Sequence, residues 1–431
     1  MTQAFDITVV GAGMVGAALA AGLGQSGFTV ALVDQAPAPE VHHDDAPDIR
    51  VSALSVGTEQ YLRHLGAWSA IETMRFTPYR RLSVWDQTPH PLSTILPRPG
   101  RTTFDARELG HSHLGHIVEN RVTQKALWDT AVGLENVTAF AGIGIERIAT
   151  GDKRAVVMLT NGDQLDCALV VGADGAQSRV RTLAGLGVSR DQYAQQALVA
   201  SVRYTGKPED ITWQAFYPSG PRAFLPLHAS DQANESWASL VWYDTPEVLT
   251  KLKALPETAF LQRVQEAFPD TLPTLTHVAA RASFPIARQH ANAYVQDRVV
   301  LVGDAAHTIN PLAGQGVNLG FQDAQSLQAM LREARRVGDD LASEYWLMQY
   351  QHQRMPANRR MMLAMDAFYY LFSNRVPPLH LIRNAGLALA QRIPFARNQV
   401  ARYAMGIDDQ PGSMVQRLLS TLPKPTLLKL F

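Results

Sequence analysis

Residues 5–35 begin with the apolar run "FDITVV", pass through an Ala/Leu-rich helical stretch and end on a second apolar run, "FTVALVDQ". This order predicts a parallel βαβ unit. "QAPAPEVHHDDAPDIR", rich in Pro and acids, predicts a surface loop. In "VSALSVGTEQYLRHLGAW", Leu54, Tyr61, Leu62 and Leu65 recur near helical spacing and predict a helix. "RRLSVWDQ" predicts a strand and "NRVTQKALWDTA" a helix. Between Asn136 and Val171, short alternating segments broken by "TGDKR" and "TNGDQ" predict hairpins. The runs "QALVASVRY", "ITWQAFYPSGPRAFLPLH" and "SWASLVWYD" are aromatic and β-prone, with polar turns between them, and predict an antiparallel sheet. "AFLQRVQEAF" predicts a helix and "DRVVLVGDAAH" an apolar strand. From Gly316 onward the pattern is helical, broken at "RVPP" and "RIPF".

The simplest architecture is an α/β chain with a discontinuous nucleotide domain (1–75, 102–188 and 285–355). An inserted β-rich substrate domain (76–101 and 189–284) and a C-terminal helical region (356–431) complete it. Length and composition agree, since 431 residues with 46% hydrophobic and 18% charged positions can bury a large core in about three domain-sized units. Formal net charge is zero, so nothing supports electrostatic nucleic-acid binding. The single cysteine, Cys167, excludes an internal disulfide, suits a reducing cytosol and reads as a small packing residue. Folded-domain sequence starts almost at once, which predicts no signal peptide, and no apolar run is long enough to span a bilayer. The expectation is a cytoplasmic protein, either soluble or resting on the inner membrane.

Gly11, Gly13 and Gly16 sit between the first strand and the helix. In that position the first permits a tight turn, the second lets backbone approach a pyrophosphate, and the third lets helix and strand pack closely. The first helical turn offers free N–H groups to phosphates, and Asp34, ending the second strand, is placed to accept from a ribose diol. These residues fit NAD or FAD equally. "ALVVGADGAQSRVR" is a second strand, ending in a turn at Asp174 and Gly175. Ser178 or Gln177 can start a helix there, so an ordinary strand-to-helix turn reads as well as a binding motif. "DRVVLVGDAAHTINPLAGQGVNLGFQDAQSL" is more specific. A strand delivers Gly303 and Asp304 at its C-terminal edge, where open parallel sheets bind ligands, and the carboxylate can hold a polyol hydroxyl. Pro311 then bends the chain, and Ala313, Gly314 and Gly316 leave bare backbone for a flat ring. The helix that follows favours negative charge on that ring. Ribitol and isoalloxazine need such a second site and NAD does not, so the nucleotide reads as FAD.

Together these motifs resemble the aromatic-ring hydroxylase branch of FAD-dependent monooxygenases, the p-hydroxybenzoate hydroxylase-like fold. They resemble most the ubiquinone-biosynthesis hydroxylases within it. "DIRVSALS", "YRRLSVW", "GADGAQSRVR", "GPRAFLPL", "WASLVWYD", "GDAAHTINPLAGQGVNLG" and "FSNRVPPLHLIRNAGL" match that family in order over roughly residues 5–407. The "GPRAFLPL" and "FSNRVPPL" elements, with "TPYRRL" as a minor departure from an "HPYRRL"-like element, look closest to the branch hydroxylating 2-polyprenyl-3-methyl-6-methoxy-1,4-benzoquinol. The segment after Asp408 runs past the family's usual end.

The resemblance implies that Gly11, Gly13, Gly16 and Asp34 hold the ADP half of FAD, that Arg50 approaches the flavin, and that Arg121 approaches the pyrophosphate. An ion pair at the surface or between domains is the other reading of each arginine. Asp174, with Gly175, matches the family's motif for FAD and pyridine-nucleotide contacts. Asp304, beside Gly303, matches the ribitol-binding acid, and Pro311, Gly314, Gln315 and Gly316 match the loop against the isoalloxazine edge. The implied reaction uses NADH or NADPH and O2, proceeds through a C4a-hydroperoxyflavin and hydroxylates a polyprenylated quinol. No acid/base residue is assigned, and the Pro311 carbonyl is a candidate acceptor for the substrate hydroxyl. The β-rich region offers Phe216, Phe224 and Leu225 as apolar substrate-lining candidates, of which alternation turns about half toward the core.

The C-terminal "RVPPLHLIRNAGLALAQRIPFARNQVARYAMG" can form a basic amphipathic surface for anionic lipid, or a packed helix with solvated arginines. A ubiquinone-biosynthesis complex is a further implied partner. His42 and His43 in an acidic loop, and His111, His113 and His116 in "LGHSHLGH", do not match a closed zinc spacing. They read as surface histidines, with no metal expected. Two other functions stay open: a hydroxylase of a small soluble phenol, with an arginine for a substrate carboxylate, and a non-catalytic FAD-bearing scaffold.

Overall fold

Continuous apolar runs become strands covered on both faces, as a parallel sheet requires. In the computed structural model, which describes residues 2–42, 46–87, 101–311, 314, 316–372 and 405, Thr2–Val10 lies at the centre of such a sheet. It pairs in parallel with Val30–Asp34 on one side and Gln164–Gly172 on the other. Val137–Ala141 extends the first side and Val299–Leu301 the second, again in parallel. The meander Ile145–Thr150, Ala155–Leu159, Gln164–Gly172 forms at the expected hairpin turns. Met14–Gln25 lies against Asn120–Val132 and Gly316–Arg336, and its residues from Gly16 to Gly24 are all buried. Its Ala/Gly composition is a packing requirement: a Cβ on residue 22 would lie 2.4 Å from Gln328 Oε1. Cys167 is buried in this sheet, where desolvation pushes its thiol up to about 11, as suits a packing residue.

The aromatic runs build a second sheet in the order His307–Thr308, Leu275–Ala291, Val188–Thr205, Glu235–Asp244, Gly220–Ala229, Ile211–Tyr217, Arg81–Asp86, Thr102–Asp105. All its pairings are antiparallel except that of Ile211–Tyr217 with Arg81–Asp86. Helices Pro246–Ala254 and Glu257–Ala267 join Trp213, Phe224, Trp242, Leu249 and Phe260 in one core on one face. Phe224 stacks on Trp213 with ring centroids 5.6 Å apart and is fully buried. It is therefore a core residue and not a substrate-lining one, because alternation sends it and Leu225 to opposite faces. Phe216 and Leu225 share the other face. The Phe216 ring lies 4.4 Å from that of Phe372, and Leu225 packs with Ile117, Leu227 and Trp237.

A third sheet orders Val51–Ser55, Gly115–Glu119 and Thr77–Tyr79. Val51–Ser55 is thus a strand, and the expected helix begins only at Val56, with Ser55 Oγ capping it by accepting from Thr58 N. Pairing with Gly115–Glu119 overrides the local helical spacing. The helix Glu344–Phe372 follows Gly316–Arg336 and contains Pro356. The breaks expected at "RVPP" and "RIPF" and the amphipathic C-terminal surface lie outside the described residues. Among the described residues no helix is long and apolar enough to cross a membrane.

Phe224→Ala is expected to lower unfolding free energy by about 3–5 kcal/mol, and Leu225→Ala, at a half-exposed position, by less. Urea denaturation of the two variants checks this assignment of faces, and the reverse ranking would contradict it.

Candidate functional site

Parallel pairing sets three strand ends side by side. Val10 registers with Gly172, and Gly172 with Leu301. Ala173 N–H donates to Val10 O at 2.7 Å and Val302 N–H to Gly172 O at 3.0 Å, so the turns after these strands open on one edge. The glycine turn is built by contact. Gly11 has φ +103°, and a Cβ there would lie 2.4 Å from Ala173 O. A Cβ on residue 16 would lie 1.8 Å from Gly11 O, whereas at Gly13 nothing is within 4 Å. Two glycines thus close the turn, and the middle one faces open space. The helix Met14–Gln25 has no side-chain N-cap and no acid in its first turn, which leaves its positive end for an anion. Asp34 accepts from Ala12 N at 2.6 Å and Ala36 N at 2.8 Å, bracing the turn from the neighbouring strand.

Asp304 lies in a one-turn 3-10 segment directly after Val299–Leu301. Its side chain is solvent-accessible yet walled by protein, as in a cleft. That desolvation raises its carboxyl above the usual range, while the charges of His307 and Arg50 oppose the rise. Arg50, itself exposed, is therefore close enough to act on Asp304. Arg121 is held by Glu119 at 3.2 Å and by Ala46 O at 2.7 Å, in a cluster where Arg75 also bridges Glu119 at 3.0 Å. Asp174 uses its carboxylate to cap the helix Arg179–Leu183, accepting from Ser178 Oγ at 2.5 Å, Arg179 N at 2.7 Å and Val180 N at 3.0 Å. Gly175, next to it, has φ +79° and open space around it. Arg181 donates to Ala176 O at 3.0 Å and Ala305 O at 2.7 Å, and Gln289 to Ala176 O at 2.6 Å and Asp304 O at 3.3 Å. The second and third turns are stapled together.

The exposed Pro311 uses one lone pair of its carbonyl to accept from Gly314 N at 3.2 Å. A Cβ on Gly314 would lie 3.0 Å from Ala53 Cβ, so the loop rests directly on the strand Val51–Ser55. Gly316 opens the next helix, and Gln315 and Ala313 lie outside the described residues.

Sequence reasoning missed the groups that hold this loop. Buried Asn318 accepts from Ser55 N at 3.0 Å and Thr58 Oγ1 at 2.8 Å and donates to Ala53 O at 2.9 Å. Fully buried Asp323 accepts from Gly303 N (3.1 Å), His307 Nε2 (2.5 Å), Arg354 Nε (2.7 Å) and Asn358 Nδ2 (2.9 Å). Burial alone would raise the Asp323 carboxyl, but the charges of His307 and Arg354 and these hydrogen bonds outweigh it and hold it well below the usual range. The signal was available, because Asn318, Asp323 and Gln328 are polar residues on the buried stripe of an amphipathic helix.

The surface reading of the histidine cluster fails for His116, which is buried under Trp68 and Phe76 at 4.8 and 5.3 Å between ring centroids. His113 is half-buried and bonded to Glu59 at 2.6 Å. His42 is exposed, and His43 lies outside the described residues.

A family model described as "FAD binding domain" matches residues 4–364. The chain is 44% identical to the 3-demethoxyubiquinol 3-hydroxylase of Escherichia coli, over 94% of this chain and 99% of that one. It is 32% identical to the ubiquinone hydroxylase UbiL of Rhodospirillum rubrum, over 93% and 89% of the respective chains. The crystal structure of p-nitrophenol 4-monooxygenase PnpA from Pseudomonas putida superposes with a TM-score of 0.74 at 16% identity, covering 95% of this chain and all of that one.

Asp323→Ala is expected to cost about 3–5 kcal/mol, because it leaves Arg354 buried without its carboxylate. Since the carboxyl is depressed in the folded state, its contribution is fully present above about pH 4 and is lost as pH falls further. Denaturant midpoints at neutral and acidic pH check both points, and an equal difference between wild type and variant across that range would contradict the second.

Proposed function

The chain belongs to the FAD-binding-domain family and is an FAD-dependent monooxygenase, and from that premise we propose that it hydroxylates the ring of a polyprenylated benzoquinol, with NAD(P)H and O2 as co-substrates. The observation that carries the cofactor reading is the meeting of the turns after residues 10, 172 and 301 on one sheet edge. Residue by residue, the groups fit FAD. Gly11 and Gly16 shape the turn, and the open approach at Gly13 with the uncapped helix end suits a pyrophosphate. Asp34 suits the adenosine ribose and Asp304 the ribityl hydroxyls. Pro311, Gly314 and Gly316, with Gln315 between the last two in sequence, are assigned to the ring, Arg50 to the flavin end near Asp304, and Arg121 to the pyrophosphate. Asp174 and Gly175 serve by holding the middle turn.

When bound, FAD accepts a hydride from NAD(P)H and activates O2. The chain's own part is to bind, orient and exclude water. An enclosed Asp304 makes a stronger hydrogen bond to a hydroxyl than one in bulk water, and the second lone pair of Pro311 O is suited to accept from the substrate hydroxyl, raising electron density in the ring. The sheet face carrying Phe216, Leu225 and Tyr243 supplies the apolar wall. On that face Arg288 already pairs with Asp366 and, at 2.6 Å, with Asp191. It is therefore not a spare cation for a substrate carboxylate. A polyprenyl tail resides in a bilayer, so the reading carries with it contact with a membrane surface and with neighbouring enzymes of ubiquinone biosynthesis.

Asp304→Ala is expected to weaken FAD binding by about one to two orders of magnitude, the worth of a hydrogen bond to a charged group. Gly13→Val is expected to abolish it, and flavin-to-protein absorbance ratios check both. NAD(P)H oxidation with and without demethoxyubiquinol, with product identified by mass spectrometry, tests the substrate. Substrate-coupled hydroxylated product is the expected result, and oxidation that is uncoupled and unchanged by the quinol would contradict the reading.

A further inference from the structure

Away from the glycine turns, the helix Val56–His64 and the entry to the strand Gly115–Glu119 bring together Glu59, His113 and His116. Each offers one ligand atom, and the three atoms lie within 4.8 Å of one another. We propose that these three side chains form a binding site for a divalent first-row transition-metal ion of the Zn2+ class, clamping that helix to the strand, with an open position for water.

The donor set is two imidazole nitrogens and one carboxylate oxygen, which suits such an ion. His116 is only 4% exposed, and its buried Nδ1 makes no hydrogen bond and points to Glu59 Oε2 at 3.4 Å. A buried nitrogen without a partner is costly, and a metal ion would satisfy it. Ligands at about 2.1 Å from a tetrahedral ion lie about 3.4 Å apart, so the Glu59–His116 spacing already fits, the 2.6 Å Glu59–His113 bond has to open, and the two histidine nitrogens, within 4.8 Å of each other, lie in reach of the same ion.

The groups behind the ligands orient them. Arg63 Nε donates to Glu59 Oε1 at 2.8 Å, leaving Oε2 for the histidines, and the charge of Arg63 is shared with Glu72 at 2.8 Å. His113 Nδ1 is fixed by Ser112 Oγ at 2.8 Å, which presents Nε2 to the site. The His113 side chain is 20% exposed, giving an entry path, while Trp68 and Phe76 wall the inner side. The protonation states agree. Burial opposes ionisation of Glu59, yet the hydrogen bonds from His113 and Arg63 hold its carboxyl down to about 2, and burial pushes His116 down to about 4. At neutral pH a carboxylate and a neutral imidazole face each other, the forms that bind metal.

The test uses untagged full-length holoprotein, dialysed against EDTA and titrated with Co2+ and then Zn2+. The expected result is one equivalent of Co2+ giving tetrahedral d–d bands at wavelengths beyond the flavin absorption. Zn2+ should displace it, with a rise of several degrees in Tm at micromolar Zn2+. His113→Ala, at the accessible ligand, and Glu59→Gln are each expected to weaken Co2+ binding at least tenfold while remaining folded by circular dichroism. Absence of bands and of a Tm shift at micromolar metal, or binding undiminished in folded His113→Ala, would overturn the proposal.

Discussion

Parallel hydrogen bonding between Thr2–Val10, Gln164–Gly172 and Val299–Leu301 is the constraint on which the rest of the structure depends. Segments far apart in the chain become neighbours only because each presents an apolar strand that must be covered on both faces. Once they are in register, the turns that follow leave the sheet on the same edge, which is where open parallel sheets bind ligands. A one-residue slip would turn every buried side chain of a strand to the wrong face and would also part the turns. The Gly11 contact with Ala173 O and the staples from Arg181 and Gln289 to Ala176, Asp304 and Ala305 then fix the spacing of the turns.

Behind that edge lies a buried polar frame. Asp323 gathers Gly303, His307, Arg354 and Asn358, and Asn318 ties the loop after Asp304 to Val51–Ser55. Buried ionic groups of this kind contribute little net stability but penalise every arrangement in which one partner is missing. This frame holds the segment that follows Asp304 at two points, through His307 on Asp323 and through Asn318 on Gly314 O. Asp304 stands outside this frame, with its side chain open to solvent.

Much of the fold was legible because its signals are local. The βαβ unit, the hairpin turns between Asn136 and Val171, and the aromatic strands each follow from periodicity and turn composition within a short window. The turn at Gly11 and Gly16 was legible because backbone approaches too closely there to leave room for a Cβ, and the place of Asp304 because it follows an apolar strand at its C-terminal edge. What escaped reading depends on distant partners. Val51–Ser55 carries helical spacing yet pairs with Gly115–Glu119. Phe224 and Leu225 are neighbours in sequence, and only the helices over one sheet face decide which of them is core. His116 reads as polar until Trp68, Phe76 and Glu59 are packed around it. Asp323 and Asn318 show in the sequence only as polar residues on a buried helical stripe, and their partners lie on other elements.

The central claim is that one FAD is held at both ends by turns belonging to distant parts of the chain. The most direct measurement is a crystal structure of the FAD-loaded protein. The account predicts one continuous cofactor, with its pyrophosphate over Gly13, its ribose on Asp34, its ribityl chain on Asp304 and its ring against residues 311–316. A cofactor seated away from any of these strand ends, or properly folded protein that takes up no FAD under loading conditions, would contradict it.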